Sequence, residues 1–147
     1  MTTHGERNLS NEWETPPDVF ESICNRFDIK PDLDVCAEYG MNKCFKFFSP
    51  AEDGLAHDWR WAVWCNPPFS DIEPWLAKAD QQHEKFGTEI IMIIPANAAC
   101  AKYAEKYLEK DNVSVHRHYG RIKFWEDGRP SENNSPNAMN IVLWRTK

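Results

Sequence analysis

The run Glu89-Ile90-Ile91-Met92-Ile93-Ile94 constrains the fold more than any other segment, because its five consecutive apolar side chains leave no face to turn toward water. A strand apolar on both faces belongs inside a sheet covered on both sides, the situation of parallel sheets flanked by helices. The run stops at Pro95, which has no amide hydrogen to continue a ladder. Helix-period and strand-period segments alternate around it. Thr15-Pro16-Pro17-Asp18 reads as a helix start, with Thr15 as N-cap, Pro16 at the first helical position and Asp18 completing a capping box; Val19, Phe20, Ile23 and Phe27 follow at helical spacing.

Strands are predicted near residues 32–35 and 44–48, and at 61–65, with a loop or single helical turn at 53–59. A helix capped by Asp71, with Pro74 in its first turn, carries the apolar face Ile72, Trp75, Leu76, Ala79 and Phe86. A further helix is expected over 98–110, then strands at 113–119, 121–125 and 140–144, with a polar loop at 126–137. This order implies an α/β fold, an abbreviated Rossmann-like arrangement with a mostly parallel sheet closed by an antiparallel C-terminal hairpin. It is abbreviated because the link between the second and third predicted strands is too short for a crossover helix and another strand.

A chain of 147 residues that is 41% hydrophobic buries one core, so a single domain is expected over residues 13–147, after a polar lead-in at 1–12 tied down by Trp13. Its five cysteines are odd in number and lack any Cys-x-x-Cys, which suggests neither a zinc site nor a disulfide framework but buried or half-buried thiols in a reducing cytoplasm. No segment reaches the ~18 apolar residues of a membrane span, and the N-terminus has no signal-peptide pattern, so a soluble cytoplasmic protein is expected. The net charge of −6 disfavours indiscriminate binding of nucleic acid. Residues 102–123 nevertheless carry a net +3, which leaves −9 for the rest and gives the chain one basic edge. The same pattern also describes an ordinary solvated helix face followed by a strand.

Trp64-Cys65-Asn66-Pro67-Pro68-Phe69 places an amide, two prolines and an aromatic ring where a strand should end and a helix is about to begin. Strand, stiff loop and helix put the loop at the carboxyl end of a parallel sheet, where open α/β folds bind ligands. Prolines fix φ and donate no N–H, so the loop presents carbonyls beside the Asn66 amide oxygen. That set suits a planar NH2 group, with Asn66 and the Pro67 carbonyl accepting its hydrogens and Phe69 stacking on its ring. Asn-Pro-Pro is also a common turn, and from the tetrapeptide alone both readings stand.

Taken in order, Trp13-Glu14-Thr15-Pro16, Leu33-Asp34-Val35-Cys36-Ala37, Asp53-Gly54-Leu55, Trp59, Asn66-Pro67-Pro68-Phe69 with Trp75, Ile94-Pro95-Ala96 and Gly120-Arg121-Ile122-Lys123-Phe124 resemble the small phage-type DNA N6-adenine methyltransferases. The likeness covers most of the chain. It implies a methyltransferase that uses S-adenosylmethionine to methylate N6 of adenine in DNA, in the host cytoplasm if phage-encoded. By that resemblance the catalytic loop is Asn66, Pro67, Pro68 and Phe69. Thr15 and Pro16 hold the cofactor's carboxylate, Asp34 its amino group, with Cys36 and Ala37 beside it, and Asp53 the adenine amino group. Arg117, Arg121 and Lys123 contact DNA, with His116 nearby, and no metal is implied. The chain departs from its larger relatives in having one glycine in residues 36–40 and no acid at the end of the second strand to bind a ribose. With no room for a recognition domain, a short target sequence or weak selectivity is expected, and a homodimer would extend it. Adenine in RNA, glutamine in a protein, and a non-catalytic binding module of the same fold are the competing readings.

Overall fold

The structure, a computed structural model, describes residues 14–37, 40–126, 129–130 and 138–146. Its elements run α1 (Pro17–Phe27), β1 (Leu33–Asp34), β2 (Lys46–Phe47), β3 (Ala62–Cys65), α2 (Glu73–Phe86), β4 (Glu89–Pro95), α3 (Ala96–Ala99), α4 (Glu105–Leu108), β5 (Val113–Arg117), β6 (Trp125–Glu126), β7 (Arg129–Pro130) and β8 (Met139–Trp144). Six strands form one sheet in the order β2-β1-β3-β4-β8-β5. The first four are parallel, and β8 runs antiparallel to both of its neighbours. This is the expected α/β arrangement, with β8 inserted between β4 and β5. The insertion gives β4 a partner on its second edge, from Ile90↔Trp144 to Pro95↔Met139. It also turns β5 parallel to β4, so Arg117 finishes at the same edge of the sheet as Asp34, Cys65 and Pro95.

The apolar run of β4 is buried on both faces, and alternation sorts it. Ile90, Met92 and Ile94 pack with Val63, Cys65, Trp75, Leu76 and Ala79 under α2, whereas Ile91 and Ile93 join Trp64, Ile141 and Leu143 under Ile23 and Cys24 of α1. Outside β2 no further strand is found among the described residues, and the link from β2 to β3 holds only a 3₁₀ turn at Gly54–Ala56.

Several local expectations are corrected. α1 begins at Pro17, with Pro16 extended at φ −57°, ψ 145° in the cap position and no side chain capping the helix. The reason is steric: a residue that precedes proline is pushed out of the helical region, so Pro17 evicts Pro16 from the helix. Thr15 therefore does not cap, and Asp18 completes no capping box. At α2 the cap position is Ile72, again without a side-chain cap; the Asp71 N–H instead meets the Pro68 carbonyl at 3.2 Å.

The helix expected over 98–110 is broken: Ala101 is extended, a 3₁₀ turn follows at Lys102–Ala104, and α4 is one turn long. Propensity favoured continuity there, but the break directs Ala104 and Leu108 into the core beneath α2. Residues 121–124 form no ladder strand, although Ile122 and Phe124 point inward and Arg121 and Lys123 outward. Trp125–Glu126 pairs with Arg129–Pro130, so part of the predicted loop is a two-stranded ribbon. The rest of that loop, residues 1–12 and Trp13 lie outside the described residues. Cys24, Cys44 and Cys65 are buried and Cys36 half-buried as expected, while Cys100 is exposed.

Candidate active site

The carboxyl edge of the sheet collects most of the residues singled out by sequence. Asn66 directly follows β3, whose register with β1 sets Asp34 opposite Trp64, so that Val35 donates its N–H to the Trp64 carbonyl at 3.1 Å. Pro67 is buried, and Asn66, Pro68 and Phe69 are half-buried. The Pro68 carbonyl is taken by the turn to Asp71, whereas the Pro67 carbonyl meets no backbone donor among the described residues. Asn66 has contacts of its own, and its Oδ1 is buried. The Phe69 ring stands edge-on to Phe124, with centroids 5.8 Å apart at 79°. Phe124 is 1% exposed, so it forms a fixed wall against which Phe69 is set.

Asp34 is 3% exposed. Its Oδ1 accepts the Cys36 N–H at 3.2 Å and its Oδ2 the Lys43 N–H at 2.9 Å, which ties Cys36 and Lys43 to the strand end. Burial pushes its carboxyl up to about 6, against the smaller opposing effect of those two hydrogen bonds. The Lys43 ammonium forms an ion pair with Glu14, their side chains only 6% and 12% exposed, and also donates to the Met41 carbonyl at 3.0 Å. Burial raises the Glu14 pKa more than Lys43 lowers it. Glu14 in turn exchanges both backbone hydrogen bonds with Trp125, at 2.9 and 2.8 Å. Thr15, next along the chain, is 1% exposed, and its buried Oγ1 has no hydrogen-bond partner among the described residues. The Phe20 ring stands edge-on to Trp64 at 4.8 Å, which seats α1 over the end of β3. Thr15, Pro16, Asp34, Cys36 and Asn66 thus share one region.

Asp53 reaches the same region through its neighbour. A Cβ on Gly54 would lie 2.0 Å from the Val35 carbonyl oxygen and 3.2 Å from the Trp75 ring, so only glycine lets this turn lie against the end of β1. Trp59, fully buried, fixes the turn by donating its Nε1–H to the Gly54 carbonyl at 2.8 Å. Asp53 itself is exposed at φ 59°, and its Oδ1 accepts the Leu55 N–H at 3.1 Å. Ala37 is buried, its N–H on the Phe48 carbonyl at 3.0 Å.

Arg117, Arg121 and Lys123 are exposed, and Arg117 lies level with Ile94 through Asn140 of β8. Arg117 therefore lies at the edge that carries Asn66, and Arg121 and Lys123 follow in the segment that brings Phe124 against Phe69. His116 does not join them: its ring packs against Phe27 at 4.7 Å, and burial followed by the Arg26 charge lowers its pKa. Sequence reasoning missed the Glu14–Lys43 pair and the pairing of Glu14 with Trp125. No local pattern signals either one. Burial raises the thiols of Cys24 to about 11 and Cys44 to about 12, and lifts that of Cys65 well above its ordinary value, so these three are thiols rather than thiolates at neutral pH.

A parallel sheet with an inserted antiparallel strand and a stiff Asn-Pro-Pro-Phe loop at its carboxyl edge defines a class, the α/β methyltransferases. The fold is shared with the crystal structure of a protein provisionally named an RNA methyltransferase from Pyrococcus horikoshii, at a TM-score of 0.60 and 15% identity, covering 96% of this chain and 90% of that one. Residues 2–147 match the family described as DNA N-6-adenine-methyltransferase (Dam). Two relatives bear that same name. One, from Haemophilus phage HP1, is 29% identical over 92% of this chain and 79% of its own length. The other, from Escherichia phage T1, is 34% identical over 92% of this chain and 63% of its own length. The chain belongs to the Dam family of DNA N-6-adenine-methyltransferases.

Among the described residues no helix is long and apolar enough to cross a membrane.

Proposed function

We propose that this chain transfers a methyl group from S-adenosylmethionine to N6 of adenine in DNA, at the carboxyl edge between the Asp34 turn and the Asn66 loop. The observation that carries the reading is the placement of Asn66-Pro67-Pro68-Phe69 directly after buried β3, two residues beyond the level at which Asp34 faces Trp64. The residues present fit the methyl donor. The Thr15 hydroxyl is a buried polar atom with no partner among the described residues, beside a helix N-terminus whose dipole favours a carboxylate. Asp34 has spent one lone pair on each oxygen and keeps others for an ammonium, with which a carboxylate makes a strong charge-assisted bond. Thr15, Pro16, Asp34, Cys36 and Ala37 would hold the amino-acid end of the donor, and Asp53 the adenine end. When bound, the donor supplies an electrophilic methyl on sulfur.

The rest of the reaction is derived from the protein. The adenine N6 lone pair is delocalised into its ring, so acceptors on both N6 hydrogens are needed to draw the nitrogen toward tetrahedral geometry. Asn66 Oδ1 and the Pro67 carbonyl take those two hydrogens, and two prolines keep them in place without motion at the moment of reaction. Neither is a strong base. The proton leaves to water once the methylated nitrogen is cationic. A base in duplex DNA must first leave the stack, at a cost of a few kcal/mol, and stacking on Phe69 offsets part of it. Exposed Arg117, Arg121 and Lys123 meet the phosphates of the same strand region.

The test offers a methyl-labelled donor with unmethylated duplex DNA, single-stranded RNA and a glutamine-containing protein in parallel. Label is expected in DNA; label in RNA or protein with none in DNA would overturn the reading.

A further inference from the structure

Strands β1, β2 and β3 begin at the edge of the sheet opposite the Asn66 loop, and two large aromatic rings stand in the open there. Phe45, just before β2, is 96% exposed, and Trp61, just before β3, is 68% exposed. Trp61 is held at φ +68°, in the left-handed region that a bulky side chain rarely adopts and that stores strain. Its surroundings enforce this conformation. The Glu89 N–H donates to the Trp61 carbonyl at 2.8 Å, the Asp32 N–H to the Ala62 carbonyl at 2.8 Å, and Thr88 Oγ1 to the Trp59 carbonyl at 2.5 Å. Two cations flank the ring, with Lys46 Nζ 5.7 Å and the Arg60 guanidinium 5.5 Å from its centroid. Glycine or asparagine would take this backbone position with less strain, yet the chain keeps a tryptophan there, facing outward.

The two rings form a ridge between two hollows. One, of about 490 Å³, reaches past Phe48 to Glu52 and Asp58; the other, of about 580 Å³, reaches Pro31; Asp32, Phe45, Lys46 and Trp61 border both. The link from β2 to β3 carries only a 3₁₀ turn, so no crossover helix fills the first hollow. On this side β2 is the last strand of the sheet, an edge open to pairing with another chain. Charge selects what fits. Asp32, Glu52 and Asp58 are exposed beside exposed Lys46 and Arg60, and among the described residues none of the five takes part in an ion pair. A polyanion would meet three carboxylates, and any partner of a single sign would leave the other sign unmatched. A patch that carries a ridge, hollows and charges of both signs is matched by its own copy turned about a two-fold axis, so that ridge enters hollow and cations face acids.

We propose that a second copy of this chain docks on the patch around Phe45 and Trp61, edge to edge across β2, to give a two-fold dimer. Both Asn66 loops lie at the opposite edge of their sheets and stay uncovered. The inference does not depend on the chemistry proposed above, and its test reads assembly rather than activity.

Sedimentation velocity of the chain, followed from about 1 to 100 μM, should show a species of twice the 17.2 kDa chain mass that grows with concentration. Phe45→Ser and Trp61→Asn should each raise the dissociation constant about tenfold or more, as the loss of a central aromatic anchor does. Neither ring belongs to the core, and Trp61→Asn relieves the backbone, so it should melt no lower than wild type. Should it melt lower, Phe45→Ser decides alone, because the Phe45 ring is almost wholly exposed in the single chain. A wild type that stays monomeric over the whole range, or a dimer that Phe45→Ser leaves undiminished, would overturn the proposal.

Discussion

Two halves of the same edge are built in opposite ways. The Asn66 side is four consecutive residues, held by the strand before it, the Pro68–Asp71 turn after it and one wall, Phe124. The side proposed for the methyl donor is assembled from Glu14 to Pro16, Asp34 to Ala37, Lys43 and the Asp53–Gly54 turn, joined by a buried ion pair, two backbone hydrogen bonds to one carboxylate and a close backbone approach. The first is stiff because of its covalent structure. The second is stiff only while distant segments stay in place, so damage there should register as lost stability and weakened donor binding together, whereas damage at Asn66 should register in the chemistry alone.

The largest break in that comparison is expected at the buried ion pair. Lys43→Met would leave the Glu14 carboxylate buried without its cation, and removing one partner of such a pair costs about 3–5 kcal/mol. Urea denaturation should show that loss, and adding Glu14→Gln should return much of it, since the pair itself gains little over neutral groups. Gly54→Ala comes next. A Cβ 2.0 Å from a backbone oxygen forces the turn off the end of β1, a change worth about 3 kcal/mol at the upper end of overpacking costs. Calorimetry should show donor affinity falling with it, while Asn66→Ala should unfold like wild type.

The smallest effect is a pH dependence from Asp34. Its folded pKa of about 6 exceeds the unfolded value of about 3.9, so the folded state binds this proton more tightly. The resulting stabilisation is complete below pH ~4 and is lost as pH rises through about 6, amounting to at most about 3 kcal/mol. Glu14, also raised, acts in the same direction. Unfolding free energies measured from pH 4 to 7 should fall across that window, and Asp34→Asn should flatten the fall.

The same contrast explains what could be read from the chain. The two-faced apolar run of β4, the strand before Asn66 and the helix after it are local patterns, and each lies where periodicity puts it. The position of Asn66 to Phe69 at the end of a strand was legible for that reason, whereas Arg121 and Lys123 entered only through the resemblance, and the structure sets them exposed in alternation with buried Ile122 and Phe124. The helix start at Thr15 was misread by one residue because two successive prolines compete, and Pro17 decides the conformation of Pro16. That single-residue shift matters chemically, since it releases the Thr15 hydroxyl from capping. The break after Ala99 was hidden because Ala98, Ala99 and Ala101 suit a helix, and only the burial of Ala104 and Leu108 against α2 dictates otherwise. Lys43, 29 residues from Glu14, and Trp125 are joined to it through space, with no spacing rule to reveal them.

The central claim is that the Asn66 loop holds the adenine amine during transfer. Mass spectrometry of nucleosides from unmethylated plasmid DNA, incubated with S-adenosylmethionine and either wild-type or Asn66→Ala protein, tests it directly. The account predicts N6-methyladenine with the wild type and a fall of about 10²–10³-fold in its rate of formation with the variant, at unchanged melting temperature. Equal N6-methyladenine from both proteins would contradict it.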